Sequence, residues 1–442
     1  MNIHSSYKVK LVNVNRCLNK TITIYRQALA YVVDVVNTEW SNIIVIDKPK
    51  EQCNYMEKLI HNTKHNTASY DFDYKFYKFP SYLRRCVIAD AIGIVSSYRS
   101  NLENYKKERY EAISNGKKFK KKAPTLNKNH FKCPTLYKGN MYEPLTNNKA
   151  NIKIYNGSDW VWLTVNLRNQ DVKYINKCKG TQMSPVLLKQ KNTYYLQYCY
   201  EEKIKLKNTK LKEQRILAVD LGLNHSAVCS LMCYDGTVAK RFFINQPAEK
   251  DQQKHYLNRL KLKQLQGGKY ANNSRLWNKI NNINDFIVND TANQIIKLAV
   301  INNVDVIVLE YLEFKGKKLS NKAQQLHYWA VKKLQTKIEE KAHKVGIRVN
   351  RVNAKNTSQL AFDGSGKVNR DINNFGNCTF STGKQYNSDL NASYNIGARY
   401  FIREIQKTTS VSKWSQVVAK VPCLERRTQC TLSTLISLVA VL

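Results

Sequence analysis

Acidic residues, long apolar runs and paired cysteines are all scarce in this 442-residue chain. Asp and Glu number 33 against 72 Lys and Arg, a formal charge of +39. Abundant Lys, Asn, Ile and Tyr suggest AT-rich coding, yet that bias should raise glutamate as well. A surplus this large points to a polyanionic partner, nucleic acid before a membrane surface. The most apolar stretch, the C-terminal "LSTLISLVAVL", falls well short of the ~20 residues that a membrane span needs. The N-terminal "MNIHSSYKVKLVNVNRC" has no apolar core of the kind a secretory leader carries. The 11 cysteines are therefore expected as free thiols, and the chain as a soluble, cytoplasmic, prokaryotic protein, nucleoid-associated when on DNA, with no membrane partner.

Length leaves room for two or three domains, each with its own core. "YKVKLVN" reads as a short strand, and "IYRQALAYVVDVVNTEW" and "SYLRRCVIADAIGIVSSYRSNLENYKKERYEAI" carry apolar residues at helical spacing. "NGKKFKKKAPTLNKNHFKCPTLYKG", with its lysine run and prolines, reads as an exposed linker. From about residue 150 the pattern alternates, as in "IKIYNGSDWVWLTVNL" and "PVLLKQKNTYYLQYCYEE", which predicts a small β-barrel that includes the first strand, with the helices inserted. Lys117, Lys118, Lys120, Lys121 and Lys122, interrupted by Phe119, suit phosphate binding with a stacking ring, or equally a solvated face. Trp160, Trp162, Tyr194 and Tyr195 divide in the same way between a stacking surface and the barrel core.

The second half places acids at the ends of apolar segments. "RILAVDLGLNHSAVCSLMCYDGTV" reads as a strand ending in Asp220, a turn at Gly222 to Asn224, a second strand and a hairpin turn at 234–236. After a helical region from about Asp251 to Val300, interrupted by "QGGKYANNS", "VDVIVLEYLEF" reads as a strand ending in Glu310. Three strands, helix, then an apolar strand is the order of an RNase H-like core, whose first and fourth strands lie side by side, ~4.8 Å apart. A third acid, Asp389, falls in the first turn of the helix expected in "NSDLNASYNIGARYFIRE". Three carboxylates at one sheet edge repel one another unless cations are present, and a pair of magnesium ions ~3.5 to 4 Å apart is the usual remedy in phosphodiester cleavage.

"AVDLGLNHSAV", "VIVLEYLEF" and "NSDLNASYNIGARYF" resemble the three RuvC motifs of TnpB, the transposon-encoded RNA-guided nuclease, and of the related compact type V CRISPR effectors. The resemblance implies Asp220, Glu310 and Asp389 as catalytic ligands of Mg2+, two ions, and a guide RNA and double-stranded DNA as partners. It implies an α/β multidomain protein: a β-barrel wedge domain at 1–212 with a helical recognition insert (about 15–115) and a basic linker (about 116–148). A RuvC-like nuclease domain follows at 213–352 plus 386–403, with a target-nucleic-acid-binding insert at 353–385 and a tail at 404–442. The implied function is an RNA-guided DNA endonuclease that reads a short flanking motif and leaves sequence choice to base pairing. Two alternatives stay open: an RNA-guided DNA-binding protein without cleavage, and a transposase.

One departure stands out. Family members usually carry a zinc ribbon of two Cys-x-x-Cys pairs before the third motif, the first shortly after a Thr-Ser dipeptide. Here Thr357-Ser358 is followed by Ala361 and Gly364 at the first pair, and Cys378 and Ser381 stand at the second. One ligand of four remains, so the insert is expected to keep turns at Gly364, Gly366 and Gly383 and to bind no zinc, with Cys423 and Cys430 too far along the tail. Arg370 and Lys384 in the insert either touch DNA or are solvated. Ser388, Asn391 and Asn395 beside the third acid either handle a phosphate, Asn391 foremost, or cap and solvate the helix.

Overall fold

The computed structural model describes residues 1–12, 16–128, 131–222, 225–267, 272–311, 322–370, 376–421 and 426–441. The chain divides into two compact units, residues 2–203 and residues 204–442 with Met1. Mixed α/β structure fills both.

The first unit runs β1 (Asn2–Lys10), α1 (Arg16–Thr38), α2 (Trp40–Ile44), α3 (Pro49–Ile60), α4 (Phe72–Lys75) and α5 (Ser81–Ser114), then β2 (Tyr142–Pro144), β3 (Lys149–Tyr155), β4 (Trp160–Asn166), α6 (Asn169–Ile175), β5 (Thr181–Gln182), β6 (Val186–Gln190) and β7 (Thr193–Lys203). On α1, Leu18, Ile22, Tyr25, Leu29, Val32 and Val36 recur every three or four residues and are buried. They share one core with Leu83, Val87, Ala91 and Val95 of α5 and with the inward residues of the strands. The expected barrel does not close among the described residues: β1, β5 and β6 pair with β7, while β2, β3 and β4 form a separate sheet. A single bridge, Leu11 to Leu167, meets the end of β4, and α6 begins two residues later, before a ladder can extend.

The second unit runs β8 (Arg215–Asp220), β9 (Ala227–Cys233), β10 (Val238–Ile244), α7 (Pro247–Gln266), α8 (Ser274–Ile301), β11 (Val306–Tyr311), α9 (Lys322–Lys344), β12 (Arg348–Asn353), β13 (Asn369–Arg370), β14 (Asn377–Thr379), β15 (Gln385–Asn387), α10 (Ser388–Thr408), α11 (Val411–Lys420) and α12 (Gln429–Val441). Its main sheet has the order β10-β9-β8-β11-β12. The first two pairings are antiparallel, and β8–β11 and β11–β12 are parallel. Alternation sends Ile216 and Ala218 of β8 to a core shared with α10 and α12, and Leu217 and Val219 to a core shared with α8 and Ile338 of α9. Both faces are covered, which is why these strands read as continuous apolar runs rather than alternating ones.

The α10 helix lies against β8 and β9 closely enough that a Cβ on Gly397 would stand 2.9 Å from Met232 Sδ and 3.3 Å from Ala218 Cβ. Its N-cap is Asn387, whose side-chain oxygen accepts from the backbone N–H groups of Asp389 and Leu390, so capping does not fall to Ser388. No helix among the described residues is long and apolar enough to cross a membrane. The described cysteines are all free thiols.

Candidate active site

Asp220 ends β8 at the point where the chain leaves the sheet. The β8–β11 ladder pairs Ile216 with Val306, Leu217 with Ile307 and Ala218 with Val308, and the same offset carried two residues further sets Glu310 level with Asp220. Asp389 arrives from the first turn of α10: a Cβ on Gly222, two residues beyond Asp220, would lie 3.8 Å from Asp389 Oδ2. Burial and then the charges of Glu310 and Asp389 push the Asp220 carboxyl well above the usual carboxylate range, while the Arg370 guanidinium draws it back. Burial also raises Glu310, opposed by the hydroxyl of Thr357 and by Arg399. The three acids thus form one electrostatic cluster at the carboxyl ends of two parallel strands and the start of a helix.

Several neighbours of this cluster were not legible as site residues. Thr357 donates its hydroxyl to the Glu310 carboxylate, and Gln335 donates to the Glu310 backbone carbonyl at 2.9 Å. His225 Nδ1 lies 3.6 Å from Asp389 Oδ2, beyond hydrogen-bond length, and its ring packs on Phe243 with centroids 5.1 Å apart. The signal for His225 was positional: five residues after Asp220, in the turn that returns the chain into β9, a side chain stays at the same sheet edge. Residues 223–224 of that expected turn lie outside the described residues, as does Cys423.

Of the remaining expected contacts, Arg370 lies near Asp220 and donates to the Ser358 carbonyl at 2.7 Å. Lys384 is exposed, its ammonium 5.1 Å from the Phe362 ring centroid and 5.4 Å from that of Tyr386. Asn391 is a correction. It is fully buried, its Oδ1 accepts from the Phe362 N–H at 2.8 Å and its Nδ2 donates to the Leu360 carbonyl at 2.8 Å, so its side chain fixes the insert and is not exposed to a phosphate. Asn395 is likewise buried and donates to the Thr357 and Leu360 carbonyls.

The insert holds a small apolar cluster of Ala361, Cys378 and Phe380, with Phe362, Val368 and Tyr386 packed on it. Gly364, Gly366 and Gly383 have φ of 83°, 123° and 82°, the left-handed region that favours glycine. Cys430, at the start of α12, packs against Gly364. In the first unit Lys117, Lys118, Lys120, Lys121 and Lys122 are exposed, and Phe119 between them is half-buried, in an edge contact with Tyr105. Lys121 pairs with Glu108 at 2.7 Å. Trp160 and Tyr194 are core residues; Trp162 shares the parity of Trp160 on β4 and is nevertheless exposed, so strand alternation does not divide the two tryptophans.

Comparison with known proteins gives partial matches. Residues 332–396, from α9 through the insert to the first turns of α10, match the model of the Cas12f1-like TNB domain family, and residues 5–156 match the Aq_aa04 family. Among curated proteins none matches. Solved structures similar to the chain include a Cas12f1–sgRNA–target DNA complex, at 15% identity over 89% of this chain and 98% of that one, TM-score 0.34. Another is the mini-RNA-guided endonuclease CRISPR-Cas_phi3, at 11% over 90% and 92%, TM-score 0.47. C2c1 of Alicyclobacillus acidoterrestris in complex with single-guide RNA is similar at 11% over 86% and 68%, TM-score 0.41. The fold described above rests on its own strand order and register. The chain resembles TnpB and the compact type V CRISPR effector nucleases.

Proposed function

We propose that the protein is an RNA-guided DNA endonuclease that cuts DNA paired to a guide RNA, beside a short flanking motif, at one RuvC-like site, and that it is encoded by a transposon. The observation that carries this reading is the convergence of Asp220, Glu310 and Asp389 at one edge of the β10-β9-β8-β11-β12 sheet. In it, residues 213–352 and 386–403 are an RNase H-like nuclease domain, 353–385 a target-binding insert held by its apolar cluster without zinc, and 1–212 a wedge domain with its recognition insert at about 15–115. Bases are read by the guide, and the +39 charge serves phosphates of RNA and DNA.

The three acids offer only hard oxygen donors, which suits magnesium, and a divalent cation relieves the mutual repulsion that raises Asp220. As they stand, no three His, Cys, Asp or Glu side chains among the described residues are close enough to hold a metal ion, so the fit is one of charge and donor chemistry. Magnesium bound there supplies Lewis-acid stabilisation of phosphodiester oxygens and a more acidic water. The protein's own groups do the positioning: Thr357 orients the Glu310 carboxylate, Arg399 balances its charge, and Arg370 presents a guanidinium toward Asp220 where a phosphate would pass.

The test is retargeting. Protein purified with its copurifying RNA should cut a duplex matching that RNA, apo-protein should not, and shifting the complementary region of a supplied guide should shift the cut by the same number of base pairs. Cutting without RNA, or at a position indifferent to the guide, overturns the reading.

A further inference from the structure

A cavity of about 580 Å³ lies in the second unit, between the loop that follows β12, the middle of α10 and Arg427 of the tail. That volume is in the range of small-ligand sites, ~300 to 1,000 Å³. Lys355, Arg399, Arg403 and Arg427 line it together with Asn353 and Asn356, and no described lining residue is acidic. Arg399 and Arg403, one turn apart on α10, present donors to the same space.

Their hydrogen bonds leave specific atoms over. Arg399 is 7% exposed; its Nη1 donates to the carbonyls of Asn353 and Lys355, each at 2.7 Å, and its Nε is buried without a partner. Arg403 gives Nε to Glu404 at 3.0 Å and Nη1 to the Arg351 carbonyl at 2.9 Å, and its Nη2 is also buried and unpartnered. Burial lowers the Arg399 guanidinium to about 10; Glu310 opposes this and the like charge of Arg427 adds to it. It remains a cation at neutral pH. A buried guanidinium with an unused donor, held beside like charges, is stabilised by an anion that accepts from several donors at once.

We propose that this cavity is a phosphate-binding site, lined by none of the three acids and adjoining Glu310 through Arg399, that takes a phosphate with a nucleotide-sized group attached. Glu404 pairs with Arg403 and Glu310 acts on Arg399, which leaves Lys355 and Arg427 as the uncompensated cations, and a phosphate has the charge and the spread of oxygens to meet them together with the unused guanidinium donors of α10. The phosphate belongs either to a nucleic-acid strand or to a free nucleotide. The site does not depend on whether the acids cleave.

Arg427 and Lys355 have no side-chain hydrogen bond or ion pair among the described residues, so Lys355→Ala/Arg427→Ala should fold. Titration calorimetry on the full chain at fixed ionic strength, with a nucleoside monophosphate, should give one site per chain that weakens at least tenfold in this double variant and is largely restored by Arg427→Lys alone in place of Arg427→Ala. Lys177→Ala/Lys179→Ala removes the same charge from exposed positions elsewhere and should leave that site unchanged. A short oligonucleotide without terminal phosphates that shows the same loss places the site on a strand; a loss confined to the monophosphate places it with free nucleotides. Equal binding of the unphosphorylated nucleoside, equal loss in the Lys177/Lys179 control, or undiminished binding in the cavity variant overturns the proposal.

Discussion

Asp220 stands where its neighbours make its charge costly, and this gives two tests at the scale of one residue. Asp220→Ala, Glu310→Ala and Asp389→Ala should each lower magnesium-dependent cleavage on the order of 10³-fold, since a metal contributes several kcal/mol at ~1.4 kcal/mol per decade, while RNA affinity stays within a few-fold; undiminished cutting by any variant removes that residue from the site. The second test concerns stability. Because the folded carboxyl titrates above its unfolded value, the native chain holds the extra proton between those two pH values, and stability falls as pH rises through that window. In chelator, Asp220→Asn should therefore raise the thermal midpoint at pH 8 relative to wild type, and the gain should shrink toward pH 4; a lower midpoint at pH 8 would contradict the electrostatic account. The acids themselves were legible because apolar runs stop at them. Thr357, His225 and Arg399 were not, since each reaches the site only through register and helix docking that no local pattern encodes. Asn391 misled for the converse reason: its place beside Asp389 suggested chemistry, and its amide turned out to be shared between two backbone groups of the insert.

At the scale of elements, the docking of α10 on β8 and β9 sets where Asp389 points. Gly397 is the closest approach, with Met232 Sδ 2.9 Å from where a Cβ would sit. Gly397→Val should overpack this contact and cost about 1–3 kcal/mol, read as a lower denaturant midpoint, and should reduce cleavage more than RNA binding because it displaces the first turn of the helix; unchanged stability and activity would show that the contact yields freely. The strands β8, β9 and β11 were legible because both faces of the sheet are covered, leaving continuous apolar runs bounded by turns, whereas α9, β12, α11 and α12 were not read from the sequence. The barrel was overread: alternation reports one buried face per strand, and it is silent on which edges join. The aromatic cluster of the insert around Phe362 and Phe380 could not be read from spacing because its members converge from separate strands and a loop.

Across the whole molecule, charge is the dominant property. The exposed lysines of 117–122 and the arginines of the second unit are spread over both units rather than gathered in one motif. RNA affinity should therefore fall steeply with salt, with log K dropping by about 0.7 per log unit of salt for each phosphate neutralised, and loss of any single lysine should change it little. A flat salt dependence, or one lysine whose removal abolishes binding, would contradict a distributed interface. Composition points to this partner class, whereas no count of charges can locate the contacts.

The parallel pairing of β8 with β11 also has a consequence in time. Ile216 and its partner Val306 are separated by 90 positions in the chain. At a synthesis rate of ~5–20 residues per second, β8 is on hand for roughly 5–20 s before that partner exists. During that interval β9 and β10 can fold back on β8 as a local antiparallel ribbon, but its other edge and both apolar faces wait for helices and a strand not yet made. The acid at the end of β8 is synthesised in the same interval, next to water rather than to Glu310 or Asp389. The cluster of three acids thus cannot form progressively along the chain: it comes together only when its last member, on α10, has been translated.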